Sequence, residues 1–295
     1  MAVPFLVGGC VMSSGAGTGP AGAGGVIRVV AAENFWGSIA SQLGGEHVHV
    51  TSIVSNPNAD PHSYDPTTAD ARSIASSQMI VVNGLGYDPW MSRLLAADGG
   101  KRTVLTVGRL LRLPDGSNPH RWYNPADVQD VVSAIVSDYS KLDPADSSYF
   151  QSQRVHFESD GLRRYRSLIS EIRARFAGTP VGASESIFSM LAPALGLDLV
   201  TPPSFLRAIS EGTDVSAADK ATIDSQIRHH RIAIYVYNSQ NTTPDVQDQI
   251  QECRAVGIPT VAATETPVPA SSSFQDWQAR QLEAILNALE RGAAA

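Results

Sequence analysis

Two short segments set one imidazole each in a turn built for holding a side chain still. They are Asp60-Pro61-His62-Ser63-Tyr64-Asp65-Pro66 and Asn118-Pro119-His120-Arg121-Trp122-Tyr123-Asn124-Pro125. In both, prolines bracket the histidine and carboxylate or amide side chains stand beside it. Proline fixes φ in advance, so a side chain on such a turn is positioned at low entropic cost. Two imidazoles held this way, joined by carboxylates from elsewhere in the chain, make a site for a first-row divalent metal. A lone histidine in a proline-rich loop is ordinarily a surface turn. The chemistry therefore depends on whether the rest of the chain brings both turns and suitable acids to one place.

The elements that would position them can be read from hydropathy. Residues 26–32, apolar but for Arg28, read as a buried strand ending in Glu33-Asn34, and residues 35–43 have a helical pattern closed by Gly44-Gly45. A second strand is expected over 47–54, with His47 and His49 on its exposed face, and the first histidine turn follows at once. Residues 67–77 read as helix, 79–84 as strand, 90–97 as helix and 103–107 as a short strand. Strands alternating with helices imply parallel βαβ units. From Pro125 to Lys141 the pattern is helical. Residues 145–176 hold no proline and one glycine, with Phe150, Phe157, Leu162, Tyr165, Leu168, Ile169 and Ile172 at roughly helical spacing. A helix of about 30 residues is about 45 Å long, which suits a rigid strut between two lobes. Alternation then resumes, with strands expected over 179–183, 197–201, 232–237 and 259–263, and helices over 187–195, 217–229, 244–256 and 274–291. The expected architecture is α/β: two β/α lobes with parallel sheets, joined by one long rigid helix, with the ligand site in the cleft between them. The divisions are residues 1–25 (signal remnant and flexible tether), 26–142 (N-terminal lobe), 143–177 (linking helix) and 178–295 (C-terminal lobe).

In open α/β sheets, ligands bind beyond the carboxyl ends of the strands. His62 follows the second strand, and His120 lies in the loop after the first lobe's last strand. Glu185, in Ala183-Ser184-Glu185-Ser186, and Glu265, in Ala263-Thr264-Glu265-Thr266-Pro267, each follow a strand of the second lobe. Four potential metal donors from four strand-end loops, two per lobe, are what an inter-lobe site needs. Each acid also has an ordinary reading. Glu185 could be an N-terminal acid stabilised by the dipole of the helix after it, and Glu265 a solvated loop acid.

The pattern resembles the metal-binding solute-binding proteins of bacterial ABC transporters (cluster A-I, or cluster 9), over about residues 26–291. Asn58-Ala59-Asp60-Pro61-His62-Ser63-Tyr64-Asp65-Pro66 is similar to that family's G-A-D-P-H-x-Y/F-x-P, and Asn118-Pro119-His120-Arg121-Trp122 to its D-P-H-x-W. The resemblance implies that His62 and His120 are metal ligands. It implies the same for Glu185, at a position that is His in typical zinc members and Glu in manganese members. Glu265 stands where the family has an Asp in a T-D-S-like loop. The His-rich acidic loop frequent in zinc importers is missing, Asn118 replaces the commoner Asp, and Tyr237-Asn238-Ser239-Gln240 stands where many members have a Glu. Asn238 is either a structural residue or one that orients ligands, and Asp60, Asp65 and Asn124 are candidates for orienting the imidazoles. Trp90, Trp122 and Trp277 are expected to pack, with Trp122 also a candidate cleft wall. What the resemblance implies for function is capture of Mn²⁺, or next Zn²⁺, and delivery to a membrane permease of an ABC transporter, by a monomer without enzymatic activity.

Composition narrows the rest. The chain has 295 residues, 43% of them hydrophobic and 17% charged, with a formal net charge of −7. That balance argues against a nucleic-acid surface, which would be basic. No apolar stretch after residue 26 approaches the roughly 20 residues of a membrane span. Residues 13–25 are nearly all Gly, Ala and Ser, too poor in apolar surface to fold. Before them, Leu6-Val7-Gly8-Gly9-Cys10 resembles a bacterial lipobox. A lipid on Cys10 would anchor the protein outside the cytoplasmic membrane and leave Cys253 with no disulfide partner. The sequence holds no H-E-x-x-H, nucleophile elbow or Gly-rich phosphate loop. Three other classes remain open to the residues alone: a metalloenzyme, a binding protein of the same architecture for a haem or siderophore, which would have an aromatic or Arg-lined cleft, and an adhesin or moonlighting surface protein.

Overall fold

The structure, a computed structural model, describes residues 25–57 and 63–293. Cys10, the Gly/Ser tether, Asp60 and His62 lie outside the described residues.

The chain begins with β1 (Ile27–Glu33), α1 (Asn34–Gly44), β2 (Val48–Val54), α2 (Thr68–Ser76), β3 (Met79–Val82), α3 (Pro89–Asp98), β4 (Thr103–Thr106) and α4 (Val107–Leu110). All four strands are parallel, in the order β2-β1-β3-β4. Both faces of β1 are covered. Val29 and Ala31 belong to the main core, while Val30 and Ala32 pack with Val54, Ile80, Val82 and Trp90 on the other side. This is why the strand, beyond Arg28, reads as an apolar run rather than an alternation. The second sheet repeats the winding. It contains β5 (Pro180–Ala183), β6 (Asp198–Leu199), β7 (Tyr235–Asn238) and β8 (Thr260–Ala263), parallel and in the order β6-β5-β7-β8. In both sheets the first strand lies between the second and third, so the crossovers leave in opposite directions and open a crevice at the carboxyl ends. Glu33 and Asn83 flank that point in the first sheet, and Ser184-Glu185 and Asn238 flank it in the second.

Between the sheets run α5 (Pro125–Leu142), α6 (Ser147–His156) and α7 (Arg163–Phe176). The expected strut is thus α6 and α7, joined through a wide π-type turn at Phe157–Gly161 in which the Leu162 N–H donates to the Phe157 carbonyl five residues back, at 2.8 Å. The apolar spacing explains the turn. Phe157 and Leu162 are both buried but five residues apart, a step that an α-helix of 3.6 residues per turn cannot keep on one face. Helix α6 packs on α5 and α1, whereas α7 packs on the second half of the chain.

That second half also holds α8 (Ile187–Leu195), α9 (Pro203–Ser210), α10 (Ala217–Arg228), α11 (Pro244–Val256) and α12 (Phe274–Gly292). Helix α9 had no counterpart in the hydropathy reading. Its short pattern of Phe205, Leu206 and Ile209 follows two prolines, and it becomes a helix because those three side chains are buried. Two expected strands differ in extent. Residues 197–201 contribute only two paired residues, and pairing in 232–237 begins at Tyr235 and reaches Asn238. His47 precedes β2, in a 3₁₀ turn, where its ring stacks on Tyr149 and its Nδ1 pairs with Asp146.

One hydrophobic cluster runs through both sheets, from Ile27 and Phe35 through Tyr139, Phe150 and Leu168 to Leu191, Leu282 and Leu289. Polar ties reinforce it. The Tyr123 hydroxyl lies 2.8 Å from the Thr264 carbonyl and 2.7 Å from Gln281 Oε1, and the Phe274 N–H donates to Ser38 Oγ at 2.9 Å. A shared close-packed core resists large relative displacement of its halves. Tyr123→Phe keeps the ring but removes the one hydrogen the hydroxyl gives to this pair of oxygens, of which Gln281 Oε1 keeps the Thr264 N–H at 2.9 Å. It should lower the unfolding free energy by about 1–2 kcal/mol, read from the urea midpoint, with unfolding still a single transition.

Candidate metal centre

His120 sits at the end of the loop that follows α4, just before a 3₁₀ turn at Arg121–Tyr123, and is 1% exposed. Its orientation is set by Asn118. The Asn118 Oδ1 accepts the His120 backbone N–H at 3.0 Å and lies 2.9 Å from His120 Nδ1. A backbone N–H can only donate, so the amide atom facing it is the oxygen. The Nδ1 facing the same oxygen therefore carries a proton, and the ring's lone pair is at Nε2. Asn83 Nδ2 donates to the neighbouring Pro119 carbonyl at 3.0 Å, and Asn83 Oδ1 accepts from Trp36 Nε1. Trp122 packs as expected, fully buried behind the imidazole, and does not wall the cavity. It stacks on Phe35 with ring centroids 4.0 Å apart and meets His120 edge-on at 5.2 Å.

The two acids meet at one amide. Glu185, in the turn after β5, is 1% exposed, and Glu265, in the loop after β8, is half-buried. Asn238 Nδ2 donates one hydrogen to Glu185 Oε1 and the other to Glu265 Oε1, the latter at 2.8 Å. Asn241 Nδ2 donates to Glu185 Oε2 at 3.0 Å, and the Tyr87 hydroxyl to Glu265 Oε2 at 3.0 Å. Gln240 Oε1 holds the second loop in place by accepting the N–H groups of Glu265 and Thr266 at 2.7 and 3.1 Å. Asn238 thus orients both acids, and Glu185 is turned toward it rather than acting as an acid on the start of α8. Asn124 does not orient an imidazole. It caps α5 by accepting the Ala126 N–H at 2.9 Å. Asp65 is exposed.

Burial raises the Glu185 carboxyl well above the usual range, and the neighbouring Glu265 charge raises it further, while the amides of Asn238 and Asn241 pull it back. The same forces act in a second pair. Glu33, fully buried at the end of β1, is raised by burial and by Asp88. Asp88 is raised by burial and restrained by the backbone N–H groups of Gly84 and Asn83 at 2.8 and 2.7 Å. The Tyr87 hydroxyl is pushed upward by burial and by Glu265.

His120 and Glu265 line one cavity of about 1250 Å³ between the sheets, and Pro57, the last described residue before the His62 turn, also lines it. The structure therefore brings Glu185 and Glu265 into partnership across one amide and puts His120 on the same cavity. Among the described residues no three His, Cys, Asp or Glu side chains form a metal-holding group. The atoms on offer are an imidazole lone pair and carboxylate oxygens, a donor set suited to a divalent ion. The hydropathy reading passed over Tyr87, Asn241 and Gln240. Tyr87 was within its reach, because it lies in the loop after β3 and the strand-end rule applies there too.

A family model described as zinc-uptake complex component A, periplasmic, matches residues 29–288. The chain is 28% identical over 148 residues to a manganese-binding lipoprotein of Halalkalibacterium halodurans, which covers 49% of this chain and 48% of that protein. It is 24% identical over 216 residues to an iron-binding protein of Yersinia pestis, covering 69% and 64%. It is 21% identical over 215 residues to a high-affinity zinc uptake system protein of Bacillus subtilis, covering 65% of each. The matches thus span from about half to less than two thirds of the length of these relatives. In fold, the chain is similar to a Mn-bound periplasmic metal binding protein from Candidatus Liberibacter asiaticus, with TM-score 0.72 at 19% identity over 89% of this chain and 99% of the other.

The raised acids predict a pH dependence. A carboxyl whose folded-state pKa exceeds its unfolded value keeps a proton that the unfolded chain releases, so stability falls as pH rises from the ordinary value near 4.5 through the raised one. In chelator, the melting temperature should therefore fall between pH 5.5 and 8. Glu185→Gln should flatten that decline, and an unchanged slope in the variant would contradict the placement of the pair.

Proposed function

From the premise that this chain belongs to the zinc-uptake complex component A family, we propose that it captures a divalent transition metal outside the cytoplasmic membrane and hands it to the permease of an ABC importer. His62, His120, Glu185 and Glu265 are the proposed ligands. The observation that carries the reading is the Asn238 amide, which holds two acids from separate strand ends together beside the cavity onto which His120 opens. A cation there removes the electrostatic penalty of two neighbouring carboxylates, and the His120 tautomer places the ring lone pair on Nε2, the atom that would ligate. The relatives' names (manganese-binding, iron-binding and zinc uptake) fit a first-row divalent cargo. We place the protein on the cell envelope, anchored through a lipid on Cys10 and acting as a monomer. The donor loops belong to a rigid frame of two sheets with a shared core, so loading involves small rocking of the halves.

Two imidazoles and two carboxylates are a harder set than three imidazoles and one carboxylate, which favours Mn²⁺ as the physiological cargo, with Zn²⁺ next. The Irving–Williams order still makes Zn²⁺ the tighter ligand in vitro. Cargo must therefore be read in cells: a deletion strain starved of metal should be rescued by Mn²⁺, and rescue by Zn²⁺ alone would overturn the manganese assignment.

Elemental analysis of metal-loaded protein should give one tightly held ion per chain, lost in His62→Ala, His120→Ala and Glu185→Ala. Retention of full occupancy by these variants would refute the ligand set. Metal at roughly a hundred times Kd should stabilise the wild type by about 2.7 kcal/mol, and acid should release it because the imidazoles must be neutral to ligate.

A further inference from the structure

Asn118 does more than orient His120. Its oxygen is occupied by the two N–H groups of His120, and its nitrogen points the other way, into the second half of the molecule. There Asn118 Nδ2 donates to the Ser186 carbonyl at 2.8 Å and to Ser189 Oγ at 3.1 Å. Ser186 is the residue after Glu185 and immediately precedes α8. Its hydroxyl lies 3.4 Å from His120 Nδ1 and 2.7 Å from Ser210 Oγ in α9. A single planar amide therefore joins the loop of one proposed ligand to the turn of another, across the gap between the two sheets. A motion that carries His120 away from Glu185 has to break both bonds from Asn118 Nδ2. An aspartate could accept the two His120 N–H groups equally well, but it has no hydrogen for the Ser186 carbonyl.

We propose that Asn118 is the pin that keeps the two halves of the metal site together and sets how slowly the ion leaves. This rests on the reading of His120 and Glu185 as ligands. Asn118 is a positioning residue, since it acts on the ion through the two loops it joins.

Asn118→Asp separates this role from simple orientation of the ring. If the residue only holds the imidazole, a carboxylate in its place makes the imidazole a more basic ligand and slows release. If it is the pin, the variant loses both inter-sheet donors and sets two oxygens against each other, and release accelerates about tenfold or more. The measurement is the dissociation rate of Mn²⁺ or Zn²⁺ into excess chelator by stopped flow. The Co²⁺ absorption spectrum of the same variant should match wild type, showing that the ligands are intact. Ser189→Ala, which removes one acceptor and leaves His120 untouched, should speed release by about two- to fivefold. Unchanged or slower release in both variants overturns the proposal.

The pin can also be tested in chelator, so that its failure is distinct from a failure of metal capture. Spin labels at the exposed positions Ala97→Cys on α3 and Ala255→Cys on α11, in a Cys10→Ser background, report the distance between the halves. Asn118→Asp should broaden and lengthen that distribution. An unaltered distribution would refute the pin even if wild type binds no ion.

Discussion

Two carboxylates, in the loops after β5 and β8, meet at the side-chain amide of Asn238 at the end of β7, the strand between them. Each acid is costly to bury charged, and each makes the other costlier. Asn238 answers this with its two hydrogens, one for each carboxylate, and Asn241 and Tyr87 supply a donor to each remaining oxygen. Neutral donors reduce the repulsion without cancelling it, so the pair stays poised for a cation. The neighbouring structure follows from that need. Gln240 gathers the N–H groups of the Glu265 loop, and Asn238 itself is fixed at the end of β7, where the Ser184 hydroxyl meets its backbone N–H.

A glutamate at position 238 would have added a third charge. The asparagine that stands there instead gives hydrogens rather than taking them, and this suits a site in which both flanking acids are glutamates with long, adaptable side chains. The first sheet contributes differently. Its buried acids, Glu33 and Asp88, lie behind the cavity, where Asp88 accepts the backbone N–H groups at the end of β3. The Asn83 side chain then fixes the Pro119 carbonyl and so the approach of the His120 turn. The polar residues at the two crevices thus form supports for the loops, and those supports are buried in a core that both sheets share.

That shared core is the reason the molecule is a frame rather than a pair of hinged domains. Helices α6 and α7 make a nearly continuous strut, with the π-type turn absorbing the five-residue step between Phe157 and Leu162. Helix α12 packs on α7 and reaches back to α1. Small displacements of loops at the cavity are compatible with this packing, whereas wide separation would expose apolar surface from Ile27 to Leu289.

The sequence by itself determined the parallel βαβ alternation of both lobes, the strut and the strand-end placement of Glu185 and Glu265, whereas His120 comes farther on, beyond α4. Hydrophobic periodicity and proline and glycine positions are local properties, and the strand-end rule converts them into a location. It fixed the extent of elements less well. Residues 203–210 became helix, and residues 197–201 gave only two paired residues, because burial against distant segments outweighed local preference there. Only the tertiary structure decided which polar groups face each other. The sequence left Asn238 with two roles, offered Asn124 as an orienting group when it is a helix cap, and left Trp122 either packed or at the cleft, where the fold packs it behind the imidazole. Hydrogen bonds between residues more than 50 positions apart, such as Asn238 to Glu185 or Asn118 to Ser186, leave no periodic trace in the chain. They exist because the fold brings the ends of separate strands to one crevice, where a buried donor has to find an acceptor.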